Sequence, residues 1–228
     1  MALYVVATPI GNLKDITLRA LEVLKSVDVI AAEDTRVTKK LLTHYGISKP
    51  LLSYRGQVHN RQGRKILEIL GEGKDVALVS DAGTPAISDP GREIVKDALE
   101  AGFDVIPIPG PSALTAALSA AGVPADRFVF VGFPPAKKGR TSFFKEIATQ
   151  PFTVVFYESP HRLLKTLREL QDTAGGERKV HVFKELTKLF ETVFSGSLHE
   201  VLADLDHKKV RGEYVIVLST APVMRRDK

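Results

Sequence analysis

Short apolar runs alternate with amphipathic helical stripes through the first half of the chain, and this alternation constrains the fold more than any other feature. Apolar, β-branched runs that predict strands lie at residues 3–7, 28–32, 51–54, 75–80 and 104–108. Helical patterns occupy residues 16–27, 35–45, 66–70 and the segment that ends at Gly102. Alternation of this kind predicts an α/β layer built on a largely parallel sheet.

The pattern changes after Gly122, where strands dominate. A helix rich in small residues spans residues 112–121, and strands are predicted at 128–133, 153–157, 179–184, 191–194 and 214–219. Helices are predicted at 141–149, 160–170 and 198–205. Neighbouring strands with short connections predict a mixed sheet. Pro109-Gly110-Pro111 interrupts the chain, so we expect two α/β domains, 1–110 and 111–228.

Composition excludes several classes of chemistry. The chain has no cysteine, which removes disulfides, thiol nucleophiles and cysteine-based zinc sites. Its six histidines lack the helical spacing of a metal pair. We therefore expect no metal site. No apolar run approaches the roughly 20 residues of a transmembrane helix, and the first residues lack signal-peptide features. We expect a cytoplasmic protein without a membrane partner.

The charge is modestly basic, with a formal net charge of +5 and a pI of about 9.3. Such an excess agrees with a polyanionic partner without proving one. Basic clusters lie at residues 137–140, 207–211 and 225–226, and at Arg55, Arg61, Arg64 and Lys65. A solvated surface explains these clusters equally well.

Polar loops follow three strands of the predicted parallel sheet, at residues 8–15, 33–36 and 81–91. Ligands of open α/β sheets collect beyond the carboxyl ends of strands. The glycine spacings of dinucleotide-binding and P-loop motifs are absent from these loops. Residues 80–91 combine prolines and glycines, so this loop can be rigid and expose backbone amides to a ligand. The alternative is a tight turn whose Ser88 or Asp89 caps the next helix.

Two polar segments follow strands in the second half. Residues 156–162 place Glu158 and Arg162 on either side of Ser159, which we expect to cap a helix. Residues 184–188 put charged side chains directly after an apolar strand. Surface salt bridges would explain these charges equally well.

Together these loops resemble the ribosomal RNA small subunit methyltransferase I family of the tetrapyrrole-type methyltransferases. The resemblance rests on ordered motifs that cover essentially the whole chain. They are residues 7–13 (ATPIGNL), 32–36 (AEDTR), 79–85 (VSDAGTP), 88–91 (SDPG), 109–113 (PGPSA), 156–159 (FYES), 184–188 (KELTK) and 211–213 (RGE).

The resemblance implies a fold, a cofactor and a substrate. It implies two α/β domains, with S-adenosylmethionine folded into the cleft between them, in a homodimer. The implied substrate is the 2′-hydroxyl of a cytidine ribose in the decoding region of 16S rRNA, in the small ribosomal subunit. The residues implied to contact the cofactor are Pro9, Ser80, Asp81, Gly83, Thr84, Ile87, Ser88, Ser112, Ala113 and Tyr157.

The chain departs from the family pattern in two places. Family members usually carry a glutamate after a His-Asn pair, where this chain has Arg61 after His59 and Asn60. Many members also continue into a helical C-terminal extension, whereas this sequence stops soon after the strand predicted at 214–219. Both departures bear on how the chain binds RNA more than on the methyl-transfer reaction.

A ribose hydroxyl is a poor nucleophile while protonated, so a base or a neighbouring cation should assist its proton loss. Glu158 and Glu185 are the candidate bases. Arg36, Arg162 and Lys188 are candidates for orienting the ribose or its phosphate. We expect RNA contacts at the basic residues Arg55, Arg61, Lys137, Lys138 and Arg140.

Two alternatives remain at this point. One is a methyltransferase for a small molecule such as a tetrapyrrole, on the same fold; the segments 33–36 and 184–188 favour the RNA branch instead. The other is a non-catalytic RNA-binding protein of ribosome assembly, against which the intact cofactor-loop motifs argue.

Overall fold

The computed structural model describes residues 1–56 and 59–220. The chain divides into two compact units, the first spanning Met1–Ser112 and the second beginning at Ala113. Within the described residues, no helix is both long enough and apolar enough to cross a membrane.

The first unit alternates strands and helices along the chain. Its elements are β1 (Ala2–Val6), a 3-10 turn (Leu13–Asp15), α1 (Leu18–Ser26), β2 (Val29–Ala32), α2 (Thr35–His44), β3 (Leu51–Ser53), α3 (His59–Gly71), β4 (Val76–Val79), α4 (Arg92–Glu100) and β5 (Asp104–Ile108). The strands form one sheet in the order β3-β2-β4-β1-β5, and every pairing is parallel. The prediction of a parallel α/β layer is confirmed.

Both faces of this sheet are covered, as a parallel sheet requires. Successive side chains of β4 point to opposite faces. Ala77 and Val79 pack in the cluster that contains Leu24 of α1 and Leu41 of α2. Val76 and Leu78 pack with side chains of α3 and α4. Burial of every residue of β4 explains why this strand is an unbroken apolar run in the sequence.

The second unit combines a mixed sheet with four helices among its described residues. Its elements are α5 (Ala113–Ala121), β6 (Phe128–Phe130), α6 (Arg140–Ala148), β7 (Thr153–Glu158), α7 (Leu163–Ala174), β8 (Lys179–Lys184), β9 (Thr192–Ser197), α8 (Leu198–Asp206) and β10 (Tyr214–Leu218). The sheet order is β6-β7-β10-β8-β9. Only β6 and β7 pair in parallel, and the other pairings are antiparallel, which confirms the predicted mixed sheet.

The start of α7 differs from the prediction. We expected a helix from residue 160 with Ser159 as its cap, but α7 begins at Leu163 and its N-cap position is Arg162, without a capping side chain. The carbonyl of Ser159 instead accepts from the amides of Arg162 and Leu163. The hydroxyl of Ser159 accepts from Arg162 Nε at 3.3 Å. Because an ionic side chain engages this serine, a turn precedes the helix.

Candidate functional site

The first and third predicted loops, at residues 8–15 and 81–91, meet at the carboxyl end of the parallel sheet. Thr8 and Gly83 exchange two backbone hydrogen bonds, each 2.9 Å long. The hydroxyl of Thr8 also donates to the carbonyl of Ser80 at 3.2 Å. The loop after β1 is therefore joined directly to the loop after β4.

The segment 109–111 joins the same arrangement. A Cβ on Gly110 would lie 3.1 Å from Cβ of Ala7, and a Cβ on Gly83 would lie 3.8 Å from the carbonyl oxygen of Pro111. The hydroxyl of Thr84 donates to that carbonyl at 3.5 Å. Three motifs that are distant in sequence thus form one compact edge of the first unit.

The loop after β4 has a strained backbone. Ala86 and Ser88 have φ values of 68° and 66°, and Gly91 has a φ of 142°. Left-handed φ values at non-glycine residues persist only where the surroundings impose them. Gly91 is the N-cap of α4, and no side chain caps that helix. The interpretation of Ser88 or Asp89 as a helix cap is therefore wrong.

The predicted cofactor residues of this edge, which joins the loops after β1 and β4, differ in their exposure to solvent. Pro9, Ser80 and Gly83 are buried, so their backbone shapes the edge. Ile87 is 46% exposed, and Ser88 is also exposed. An apolar side chain held outward on a rigid loop offers a surface to an apolar part of a ligand. In the second unit, Ala113 begins α5 and Tyr157 lies half-buried near the end of β7.

Carboxylates gather at the same edge, which the sequence did not predict. Burial raises the pKa of Asp89 to about 6, and the charges of Glu33 and Asp81 add to the rise. Burial also raises the pKa of Glu33. The amide of Asp81 donates to Glu33 Oε2 at 3.4 Å, and Asp81 Oδ1 accepts from the amide of Asp34 at 2.9 Å. This carboxylate cluster (Glu33, Asp81 and Asp89) favours a cationic ligand. Its three members lie in the AEDTR, VSDAGTP and SDPG motifs, but the sequence alone did not show that their carboxylates meet.

Two of the predicted arginines lie at the rim of the carboxylate cluster. Arg36 donates to both carboxylate oxygens of Asp34, and these bonds hold the pKa of Asp34 far below its usual range. Arg55 Nε donates to the carbonyl of Glu33 at 3.3 Å, and its Nη2 lies 3.9 Å from Asp34. Both guanidinium groups remain largely exposed.

Glu158 is buried inside the second unit. Its Oε1 accepts from the amide of Ser159 at 2.7 Å and from Arg162 at 2.8 Å. Its Oε2 accepts from the hydroxyl of Thr166 at 2.6 Å, with Arg140 at 4.0 Å. Because both oxygens are engaged and the side chain is fully buried, Glu158 does not reach a substrate. Its prediction as a general base is wrong in this arrangement.

Arg140 is also buried, with 4% of the residue exposed. It donates to Glu169 at 2.7 Å, and to the carbonyl of Pro135 at 2.9 Å. A buried, fully engaged guanidinium cannot contact a phosphate, so the prediction of Arg140 as an RNA contact is corrected. Lys137 and Lys138 in the same basic cluster are exposed and stay candidates.

The motif at 184–188 meets the motif at 211–213. Lys188 Nζ donates to Glu185 Oε1 at 3.0 Å and to Glu213 Oε2 at 2.8 Å. The amide of Glu213 donates to the same Glu185 oxygen at 3.0 Å. Glu185 and Thr187 have left-handed φ values of 54° and 65°. We call Glu185, Lys188 and Glu213 the lysine cluster.

Hydrogen bonding fixes the charges of the lysine cluster. Although burial opposes the shift, bonds from Lys188 and from the backbone of Glu213 lower the pKa of Glu185. Burial of Lys188 acts to lower its pKa, but the hydrogen bonds and charges of Glu213 and Glu185 outweigh burial and raise the pKa. A base works best with a pKa near the operating pH, so Glu185 is a weak proton acceptor. An ammonium has three donors, and two of those of Lys188 serve Glu185 and Glu213.

Backbone strain is confined to two motif loops. The non-glycine residues with positive φ in the described parts of the chain are Ala86, Ser88, Glu185 and Thr187. Strain of this kind clusters at ligand-binding and active sites. It therefore singles out the loop after β4 in one unit and the lysine cluster in the other.

Among the basic residues of the first unit, Arg61, Arg64 and Lys65 of α3 line one surface depression together with Glu68. The basic cluster at 225–226 lies outside the described residues. In the parts of the chain that the structure describes, no group of three histidine or carboxylate side chains is arranged to hold a metal ion.

Comparisons with known proteins agree on one family. The family model for tetrapyrrole (corrin/porphyrin) methylases matches residues 2–202. The ribosomal RNA small subunit methyltransferase I of Pseudomonas aeruginosa is 49% identical over 221 residues, covering 95% of this chain and 78% of that protein. The protein of the same name from Thermotoga maritima is 46% identical over 217 residues, covering 95% and 97%.

Solved structures show the same fold at low identity. A cobalt precorrin-4 methyltransferase of cobalamin biosynthesis superposes with a TM-score of 0.72 at 20% identity, covering 96% of this chain and 94% of that one. The uroporphyrin-III-C-methyltransferase of Thermus thermophilus gives 0.66 at 19% identity, with the same coverage. At these identities the likeness concerns the fold alone, and it confirms the predicted fold class.

Proposed function

We propose that this chain transfers a methyl group from S-adenosylmethionine to small-subunit ribosomal RNA. The premise is its family: the chain belongs to the tetrapyrrole (corrin/porphyrin) methylase family, and within it to the ribosomal RNA small subunit methyltransferase I family. The observation that carries the proposal is the strained loop after β4, joined to Thr8 by two backbone bonds. The strain and the two bonds favour a rigid ligand-binding loop over a surface turn.

The residues of this edge fit S-adenosylmethionine. The cofactor supplies a methyl group on a positively charged sulfonium, and it also carries an ammonium group and an adenine ring. The carboxylate cluster complements the positive charges. The exposed side chain of Ile87 offers an apolar contact for the ring. Pro9, Gly83 and Thr84 shape the backbone against which the cofactor would bind.

We assign the acceptor as the 2′-hydroxyl of a cytidine ribose in the decoding region of 16S rRNA. The relatives' names, the family resemblance and the chemistry of the lysine cluster support this assignment. As the hydroxyl loses its proton, negative charge develops on its oxygen, and a fixed cation stabilises that charge. Lys188 is held by Glu185 and Glu213 and keeps one N–H donor for such an oxygen. Its role is electrostatic, and the hydroxyl proton passes to solvent water rather than to Glu158.

The test is methyl transfer from labelled S-adenosylmethionine to small ribosomal subunits that lack the modification. We expect label in 16S rRNA, at a ribose that then resists alkaline cleavage on its 3′ side. Label in a tetrapyrrole instead of RNA would assign the chain to small-molecule methylation. Binding to the subunit without transfer of label would reduce it to a non-catalytic assembly protein.

We further propose that the chain acts as a homodimer in the cytoplasm, together with its RNA substrate. Leu189 and Phe190, large apolar side chains at the β8–β9 connection, are both exposed, and burial in a second copy would remove them from water. Sedimentation at micromolar concentration tests the dimer. A species of 24.9 kDa, the mass of one chain, would contradict it.

A further inference from the structure

An exposed aromatic side chain, Phe133, lies three residues beyond the end of β6. Phe133 is 53% exposed, and its ring meets that of Tyr157 edge-on, with 5.5 Å between centroids and 61° between planes. Phe130 contacts the same tyrosine ring at 5.0 Å. A single exposed aromatic residue is common on protein surfaces. Exposure of Phe133 therefore indicates a function only if the surrounding structure fixes its position.

The segment that carries Phe133 is fixed by the buried Arg140 and the half-buried Arg162. The carbonyl of Pro134 accepts from Arg162 at 3.1 Å, and the carbonyl of Pro135 accepts from Arg140 at 2.9 Å. Glu158 lies between the two arginines, 2.8 Å from Arg162 and 4.0 Å from Arg140. Taking such charges out of water is costly. Here the ion pairs with Glu158 offset that cost. The same arginines fix the carbonyls of Pro134 and Pro135, which lie outside any helix or strand.

Anchoring extends to the residue before Phe133. The carbonyl of Gly132 accepts from the amide of Tyr157 at 2.9 Å, and Pro134 is buried. Phe133 is therefore held on both sides while its own ring remains exposed. Its orientation is set before any ligand arrives, which reduces the entropy lost on binding.

Cations follow within a few residues. Lys137 and Lys138 are exposed, on a segment that ends where Gly139 and Arg140 begin α6. A rigid aromatic face beside flexible cations is the combination that binds single-stranded nucleic acid, because unstacked bases stack on the ring while cations contact phosphates.

We propose that Phe133 stacks on an unpaired base of the RNA substrate, and that Lys137 and Lys138 contact the adjoining phosphates. The inference rests on the proposed function, since it requires RNA as the substrate. An adenine ring of the cofactor has the same stacking chemistry. The two lysines favour RNA, because a polyanion matches them and a cationic cofactor does not.

The test compares variants of the full chain for binding to a fluorescently labelled single-stranded RNA with the decoding-region sequence. Phe133→Ala should weaken binding by about five- to 150-fold, the range of base–aromatic stacking, without changing the salt dependence. Phe133→Trp, which keeps an aromatic face, should restore most of the affinity. Phe128→Ala is the matched control, since Phe128 is a 40% exposed phenylalanine of β6, the strand that precedes Phe133. Replacing Lys137 and Lys138 by alanine should flatten the salt slope by about one unit per lost contact.

Several outcomes decide against the inference. Unchanged RNA affinity in Phe133→Ala removes the stacking role, and so does an equal loss in Phe128→Ala. A loss of S-adenosylmethionine affinity, measured by calorimetry, with RNA affinity unchanged would place Phe133 at the cofactor. Conversion of a wild-type dimer to a monomer would make it a subunit contact. The wild-type chain, measured alone, tests the proposed function separately from the variants. If it neither binds nor methylates the RNA, the proposed function itself fails.

Discussion

Gly212 and Glu185 approach so closely that a Cβ on Gly212 would lie 2.6 Å from both the Cγ and the Cδ of the glutamate. Gly212 also has a φ of 90°, a backbone angle that residues with a side chain rarely adopt. The glycine of the RGE motif thus makes room for the glutamate of the KELTK motif. The position of Lys188, which Glu185 holds at 3.0 Å, depends on this contact.

Gly212→Ala should lower methyl transfer roughly 100-fold, the scale on which one stabilising group at a developing oxyanion acts. The control is Gly102→Ala, because Gly102 has a similar φ of 80° at the end of α4 but nothing within 4 Å of an added Cβ. Both variants carry the backbone cost of a left-handed alanine, about 1–2 kcal/mol. Single-turnover methyl transfer separates them, and equal activity losses would disconnect the lysine cluster from catalysis.

Ile87→Lys should weaken S-adenosylmethionine binding by about 10- to 100-fold. The change removes an apolar contact and brings a cation towards a cationic ligand. Leu99→Lys on α4 is the control, since Leu99 is 58% exposed and Ile87 is 46% exposed. Calorimetry without RNA provides the measurement. An Ile87→Lys affinity equal to that of the control would remove Ile87 from the site.

Asp89→Asn should stabilise the protein at pH 8 and leave it unchanged near pH 3. Because burial raises the folded-state pKa of Asp89 from 3.8 to about 6, the wild type loses stability as pH rises through that range. The asparagine avoids this loss. After allowance for a half-exposed group, the gain is about 1 kcal/mol.

Urea unfolding at a series of pH values measures this difference, with Asp172→Asn on α7 as a control for the removal of one exposed charge. Asp89→Asn should also weaken S-adenosylmethionine binding at pH 8, since it removes one member of the carboxylate cluster. A stability difference that is the same at every pH would mean that Asp89 titrates normally.

Glu158→Gln should destabilise the second unit by about 1.5–3 kcal/mol, because it removes the charged partner of the half-buried Arg162 and leaves Arg140 with Glu169 alone. Glu100→Gln is the control, since the Glu100 side chain is exposed and pairs with Lys96 on the same helix. A surface pair of that kind contributes about 0.3–0.5 kcal/mol. Denaturant unfolding compares the two, and similar small losses would mean that Glu158 is not essential to the buried network.

Arg61→Ala should weaken binding to small ribosomal subunits and flatten the salt dependence by about one unit. Arg61 lies with Arg64 and Lys65 on one depression of α3. Arg92→Ala, at an exposed arginine of α4, controls for charge removal, and S-adenosylmethionine affinity should not change in either variant. An unchanged salt slope would identify Arg61 as ordinary solvated surface.

Much of the fold could be predicted from local patterns. The strand predicted at 104–108 matches β5, and that predicted at 179–184 matches β8. Such patterns report burial with a period of two or of 3.6 residues, which the sequence contains in full. The start of α7 was missed because an ionic contact of Arg162 with Glu158 competes with the local capping preference of Ser159.

The sequence by itself determined the order of the elements, the parallel and mixed sheets and the loops that carry the motifs. Tertiary structure alone decided what each charged side chain does. Arg140 and Thr166 are 26 residues apart and share a buried hydrogen bond, while Glu185 and Glu213 meet across 28 residues. The sequence pattern of a charged residue at the end of a strand is the same whether its side chain faces water or the core. Its burial, its partners and its pKa depend on segments that only the folded chain brings together.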